Sequence, residues 1–74
     1  MLIKVESYSG YKADERPKAL VMGDKRLEIK EVIDRWYGAD HDYFKVMAED
    51  GFVYIIRHDR FRDEWELVMM ERAD

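Results

Sequence analysis

"LEIKEVIDRWYG", residues 27–38, decides the fold class. Ile29, Val32, Ile33, Trp36 and Tyr37 recur at i, i+3, i+4, i+7 and i+8, and Gly38 stands where a helix C′ residue belongs. That spacing describes an amphipathic helix. The same residues also describe a bent strand. Leu27 and Ile29 then share one face, and a one-residue slip near Glu31 lets Val32 and Trp36 continue it. A β-bulge makes such a slip and bends the strand, as small barrels require. Hairpin signals flank the segment on both sides, so the bent strand is preferred. A helix near residues 28–37, giving an α+β class, is the alternative.

The clearer hairpin lies downstream in "YFKVMAEDGFVYII", residues 43–56. Asp50-Gly51 separates two alternating runs, and a type I′ turn with positive φ at both central residues is expected there. Alternation puts Phe44, Val46 and Ala48 on one face of the incoming strand. Tyr54 and Ile56 line one face of the outgoing strand, preceded by Phe52. "RHDRFRD" (57–63) turns the chain again, and "EWELVMM" (64–70) sets Trp65, Leu67 and Met69 on a common face. Upstream, "KALVMGDKRLEI" (18–29) reads as two runs about Gly23-Asp24, and "LIKVESY" (2–8) as a short first strand. Between them "SGYKADERP" (9–17) breaks the pattern. Gly10 permits positive φ, and Pro17 biases Arg16 towards extended backbone. The expectation is one domain over residues 1–74: an all-β, five- or six-stranded antiparallel meander closing into a small half-open barrel.

Composition agrees with one small core. Seventy-four residues lie near the lower limit for folding without staples, and the absence of cysteine excludes disulfides and thiolate metal sites. Stability then rests on burial, for which 47% apolar and 14% aromatic residues supply the material. Charged residues reach 41% and belong on a solvated surface. A net charge of −4 argues against a general nucleic-acid binder, which carries a basic footprint. The opening "MLIKVESYSG" is too charged for a signal peptide, and no apolar run approaches membrane-spanning length, so a cytoplasmic location is expected.

The order Pro17, Gly23, "EVIDRW" (31–36), "YFKV" (43–46), "YIIRHD" (54–59) and Trp65-x-Leu67 resembles a domain of unknown function found in short bacterial proteins. It is also similar to the tail appended to some polymerase-like mutagenesis accessory proteins. The resemblance covers roughly residues 16–68 and rests on aromatic and aliphatic spacings, which report a core. It implies an all-β module without known catalysis and carries no functional residue across.

Three constellations invite chemistry. His41 within "DHD" (40–42) and His58-Asp59 have the ligand types of a zinc or non-haem iron site, provided their two turns lie side by side. Against this, Asp40 and Asp42 are turn formers, and no ligand spacing matches a named site; Phe44 also stands where a calcium loop needs its third ligand. No metal and no cofactor are expected. The paired His-Asp dipeptides also suggest a phosphohydrolase of that name, whose helical bundle needs a far longer chain. His58 with Asp59 or Glu64 has the parts of an acid–base pair, but a hydrogen-bonded histidine at the core edge is the preferred account and no catalysis is expected.

Third, arginines adjoin aromatics at Arg35-Trp36-Tyr37, at Tyr54 to Arg57, and at Arg60-Phe61-Arg62. Such neighbours hold single-stranded nucleic acid on small β-modules and dominate protein-interface hot spots. The plainer reading puts Trp36 and Trp65 in the core and pairs the arginines with surrounding carboxylates. The candidate binding residues are Arg35, Trp36, Tyr37, Tyr43, Arg57 and His58. A nucleic-acid surface requires Arg35, Arg57, Arg60 and Arg62 on one face. A metal-dependent enzyme requires His41 beside His58. Met69 and Met70 end the last strand, at least one facing outward, and suit an adaptable contact or homodimer seam. The reading preferred overall is a non-catalytic protein-binding or scaffolding module.

Overall fold

The computed structural model describes residues 1–7 and 17–72, and the expectations for Gly10 and Arg16 lie outside that range. Six strands succeed one another in chain order: β1 (Leu2–Ser7), β2 (Pro17–Met22), β3 (Lys25–Tyr37), β4 (His41–Ala48), β5 (Phe52–Asp59) and β6 (Glu64–Arg72). Each pairs antiparallel with the next, and β1 pairs with β6, so the meander closes into a barrel. The closing seam is short: Leu2 opposes Glu66, Ile3 opposes Trp65, and the Leu67 amide donates to the Met1 carbonyl at 2.8 Å. No helix among the described residues is long and apolar enough to cross a membrane.

Residues 27–37 are strand, not helix. The register steps over Lys30, between Ile29↔Ala48 and Glu31↔Met47, and again over Ile33, between Val32↔Val46 and Asp34↔Lys45. These bulges bend β3, which pairs with β2 at its start and with β4 for most of its length. The β2–β3 turn falls at Gly23-Asp24, where Gly23 takes φ 64°. The β4–β5 turn differs in type from the expectation. Only Gly51 has positive φ (84°), its amide donates to the Ala48 carbonyl at 3.0 Å, and three residues separate the strands. That is the geometry of a three-residue hairpin loop ending in a left-handed glycine.

The core fills the ring with Ile3, Leu20, Leu27, Phe44, Val46, Ala48, Tyr54 and Ile56, all buried. Phe44 faces Ile56 and Val46 faces Tyr54, as alternation predicts. The Tyr54 hydroxyl donates to Asp50 Oδ2 at 2.6 Å, which satisfies the phenol at the rim of the core.

The two tryptophans depart from the expected core. The spacing predicts that Trp36 continues the inward face of Val32, but the extra residue Ile33 inverts the alternation and turns Trp36 outward, 40% exposed. A one-residue slip exchanges the faces of every residue beyond it. Trp65 is half-buried at one mouth of the barrel, tilted against Phe44 at 5.5 Å and packed on the core's margin. A third bulge acts on β6. Leu67 opposes Ile56 and Met69 opposes Ile55, so Val68 is supernumerary and Met69 leaves the face of Trp65 and Leu67. Met69 and Met70 are both about half-exposed.

Candidate functional site

"DRWYGADHDYF" (34–44) is the connection between the bent strand and the next hairpin: β3 ends at Tyr37, Gly38–Asp40 make the turn, and β4 begins at His41. The Gly38 amide donates to the His41 carbonyl at 2.7 Å. A side chain at position 38 would begin 3.3 Å from that oxygen and 3.5 Å from the Tyr43 ring, so the turn packs closely. Opposite it lies the β5–β6 turn. There Asp59 accepts from the amides of Phe61 (2.9 Å) and Arg62 (3.2 Å), and Asp63 takes φ 54°. Arg60 joins the two turns: its guanidinium pairs with Asp42 and donates to the Ala39 carbonyl at 2.6 Å.

The six candidate binding residues divide between two faces. Trp36, Tyr43 and Arg57 oppose one another in turn across β3, β4 and β5, on the outer face, and Glu66 of β6 continues the row. Trp36 and Tyr43 stack with ring centroids 5.4 Å apart and planes 2° from parallel. Arg57 Nε donates to Glu66 Oε1 at 2.7 Å. The Arg57 guanidinium is held charged above its ordinary range, first by Glu66 and then by the Tyr43 hydroxyl. Its partner Glu66 is held below the usual carboxylate range, mainly by the same bond. The row therefore runs from stacked rings through a phenol to an ion pair.

Arg35, Tyr37 and His58 belong to the other face. The Arg35 guanidinium lies over the Phe44 ring at 5.6 Å, and its Nη1 donates to the Tyr37 hydroxyl at 3.2 Å. His58 stacks on Trp65 at 4.6 Å, and its Nε2 lies 2.8 Å from Asp63 Oδ1. His58 is thus the hydrogen-bonded histidine at the core edge that its strand parity predicts. No family model matches the sequence, and no curated protein or solved structure matches it.

His41 and His58 do not meet. His41 opposes Asp59 while His58 opposes Asp42, and successive residues of a strand face opposite sides. His41 instead lies 3.9 Å from Asp59, whose carboxyl is pulled below its ordinary range mainly by the Arg62 amide. Among the described residues no cluster of three or more His, Cys, Asp or Glu side chains has metal-holding geometry. The four arginines of a single-strand surface do not converge either. Arg35 faces inward, Arg57 is matched by Glu66, and Arg60 is consumed in joining the turns. An open groove of about 440 Å³ does lie beside the outer row, but its arginines, Arg57 and Arg62, face three carboxylates, Asp59, Glu64 and Glu66.

Two features of the outer face are absent from the sequence expectations. Ile33 is 41% exposed because it is the bulged residue. Ile55 lies between Lys45 and Met69 on the same face as Arg57, which plain alternation could have shown. The position of Ile33 had no local signal, since a bulge is a property of the pairing.

Proposed function

We propose that the chain is a non-catalytic binding module that holds a protein partner on the outer face of β3, β4 and β5. The observation that carries this reading is the Trp36–Tyr43 stack. A tryptophan and a tyrosine are pre-organised ring against ring outside the core, with Trp36 40% exposed and Ile33 41% exposed nearby on β3. Rigid aromatics lose little side-chain freedom on binding, and they anchor the centres of protein interfaces. Arg57 and Glu66 give the anchor a polar border whose charges are already matched. A partner therefore meets an apolar centre with a neutral rim, which favours a protein surface over a polyanion. In this reading the chain is a small all-β module working in a bacterial cytoplasm.

The test is a cross-linked pull-down from a bacterial host, made with the parent chain, Trp36→Ser, Tyr43→Ser and a control on another strand, Lys4→Ala. The expected result is one protein captured in stoichiometric amount by parent and control and lost from both aromatic variants. Equal capture by all four removes the outer face as the site. Both serine variants should still fold, because losing an outer aromatic pair costs only about 0.5–1.5 kcal/mol beyond the area lost, and cooperative urea unfolding of each variant checks it.

A further inference from the structure

The β6 strand outlasts its neighbour on one side. Its residues from Phe52's partner Arg72 back to Glu64 all lie along β5, yet β1 covers it only at Trp65 and Glu66, with Met1 reaching Leu67. From Val68 to Arg72 no described strand lies on the other edge. Exposed edges are ordinarily blunted by lysine, proline or an inward charge. This one carries a bulge at Val68 and charges only at its end, Glu71 and Arg72, and presents Val68, Met69 and Met70, 49%, 50% and 52% exposed.

We propose that the Val68–Arg72 edge pairs antiparallel with the same edge of a second copy of this chain, joining two barrels through a continuous sheet. The open window chooses the occupant and the register. A two-fold axis normal to the sheet sets residues of equal parity opposite each other, so the axis passes through one residue. An axis at Glu71 sets two carboxylates face to face. One at Met69 drives the second strand into Met1 and Leu67, where β1 already sits. An axis at Met70 fits the window from end to end. It sets Met70 against Met70 and lays the aliphatic stem of Arg72 over Val68 of the other copy, with no like charges opposed. Methionine at the axis suits a seam in which identical side chains must share space.

This pairing uses the edge, and the proposed protein contact uses the outer face, so the two fail separately. Sedimentation equilibrium of the intact chain should show the weight-average mass rising with concentration from 9.0 kDa towards twice that value. Met70→Lys sets two ammonium groups across the axis and should hold the chain at monomer mass, while Trp36→Ser should dimerise like the parent. Since the chain has no cysteine, Met70→Cys gives a second readout. Opposed residues of an antiparallel pair bring their β-carbons to about 4.5–5.5 Å, close to disulfide reach. Diamide, which takes up the two protons and two electrons that a pair of thiols releases, should then link Met70→Cys chains and leave Met69→Cys chains single. Monomer mass at every concentration overturns the proposal. So does a dimer that survives Met70→Lys, or equal cross-linking at positions 69 and 70.

Discussion

Trp65 and Trp36 have equal claims to the core in the sequence, and they stand on opposite sides of the barrel wall. Trp65 stands at the mouth with Phe44 on one side and His58 stacked on another, so its ring helps close the inner space. Trp36 stands outside with only Tyr43 stacked across the groove between strands. Inside, side chains meet from several strands and volume decides what fits. Outside, each residue meets only its cross-strand neighbours, and exposure leaves it free to meet another molecule. The difference is one of position and not of residue type, because both rings bring the same apolar area.

The largest loss is expected inside the barrel. Ile56 is fully buried, so Ile56→Ala should cost about 3–4 kcal/mol in urea denaturation. A domain of this size has only roughly 4–11 kcal/mol to lose. Survival of the parent midpoint would show that the barrel interior is not the core. Trp65→Ala should come next at about 2 kcal/mol, less than for a wholly enclosed ring because one side already meets water. It should also free His58, visible as a shift in the imidazole resonances.

Arg60→Ala should cost about 1–2 kcal/mol, since it severs the charged link between the two turns that hold the outer row's end in place. Hydrogen exchange should then quicken at Gly38 and Asp63 and leave the β4–β5 hairpin unchanged. Quickening everywhere would mean that the turns belong to the core unit. Trp36→Ala should cost about 1 kcal/mol, the order of the aromatic stack it removes. A loss as large as that of Trp65→Ala would erase the distinction between the faces.

The titrations run in opposite directions on the two sides of the wall. Glu66 and Asp59 are held below their ordinary range in the folded chain by Arg57 and by the Arg62 amide. Their contribution is present above the unfolded carboxylate range and is lost as pH falls through the folded values. Glu66→Gln should flatten part of the acid limb. Tyr54 is pushed up from 10.0 to about 12, first by burial and then by its bond to Asp50. A raised phenol stabilises fully below pH 10 and loses that contribution as pH climbs towards about 12. Tyr54→Phe should remove that alkaline loss. An unchanged alkaline limb in the variant would show that Tyr54 ionises like a free phenol.

Local residue pattern located the turns and the short alternating runs. Phe44, Val46 and Ala48 face Tyr54 and Ile56 because strand parity is a local property, and Gly23 and Gly51 mark turns because glycine meets the left-handed φ there at little cost. It also placed His58 at the core's edge. Strand pairing around the core set the outcome wherever parity had to be carried past a bulge. Ile33 and Val68 are each one residue too many for the strand they face, and each inverts the alternation beyond it, sending Trp36 and Met69 outward. The β4–β5 register likewise decided that His41 and His58 stay apart, and the short β1–β6 seam leaves Val68–Arg72 with no described strand on that side. A bulge forms where two strands must curve together around a shared core, so only the slip at Lys30, marked by the break in alternation between Ile29 and Val32, could be read from one strand.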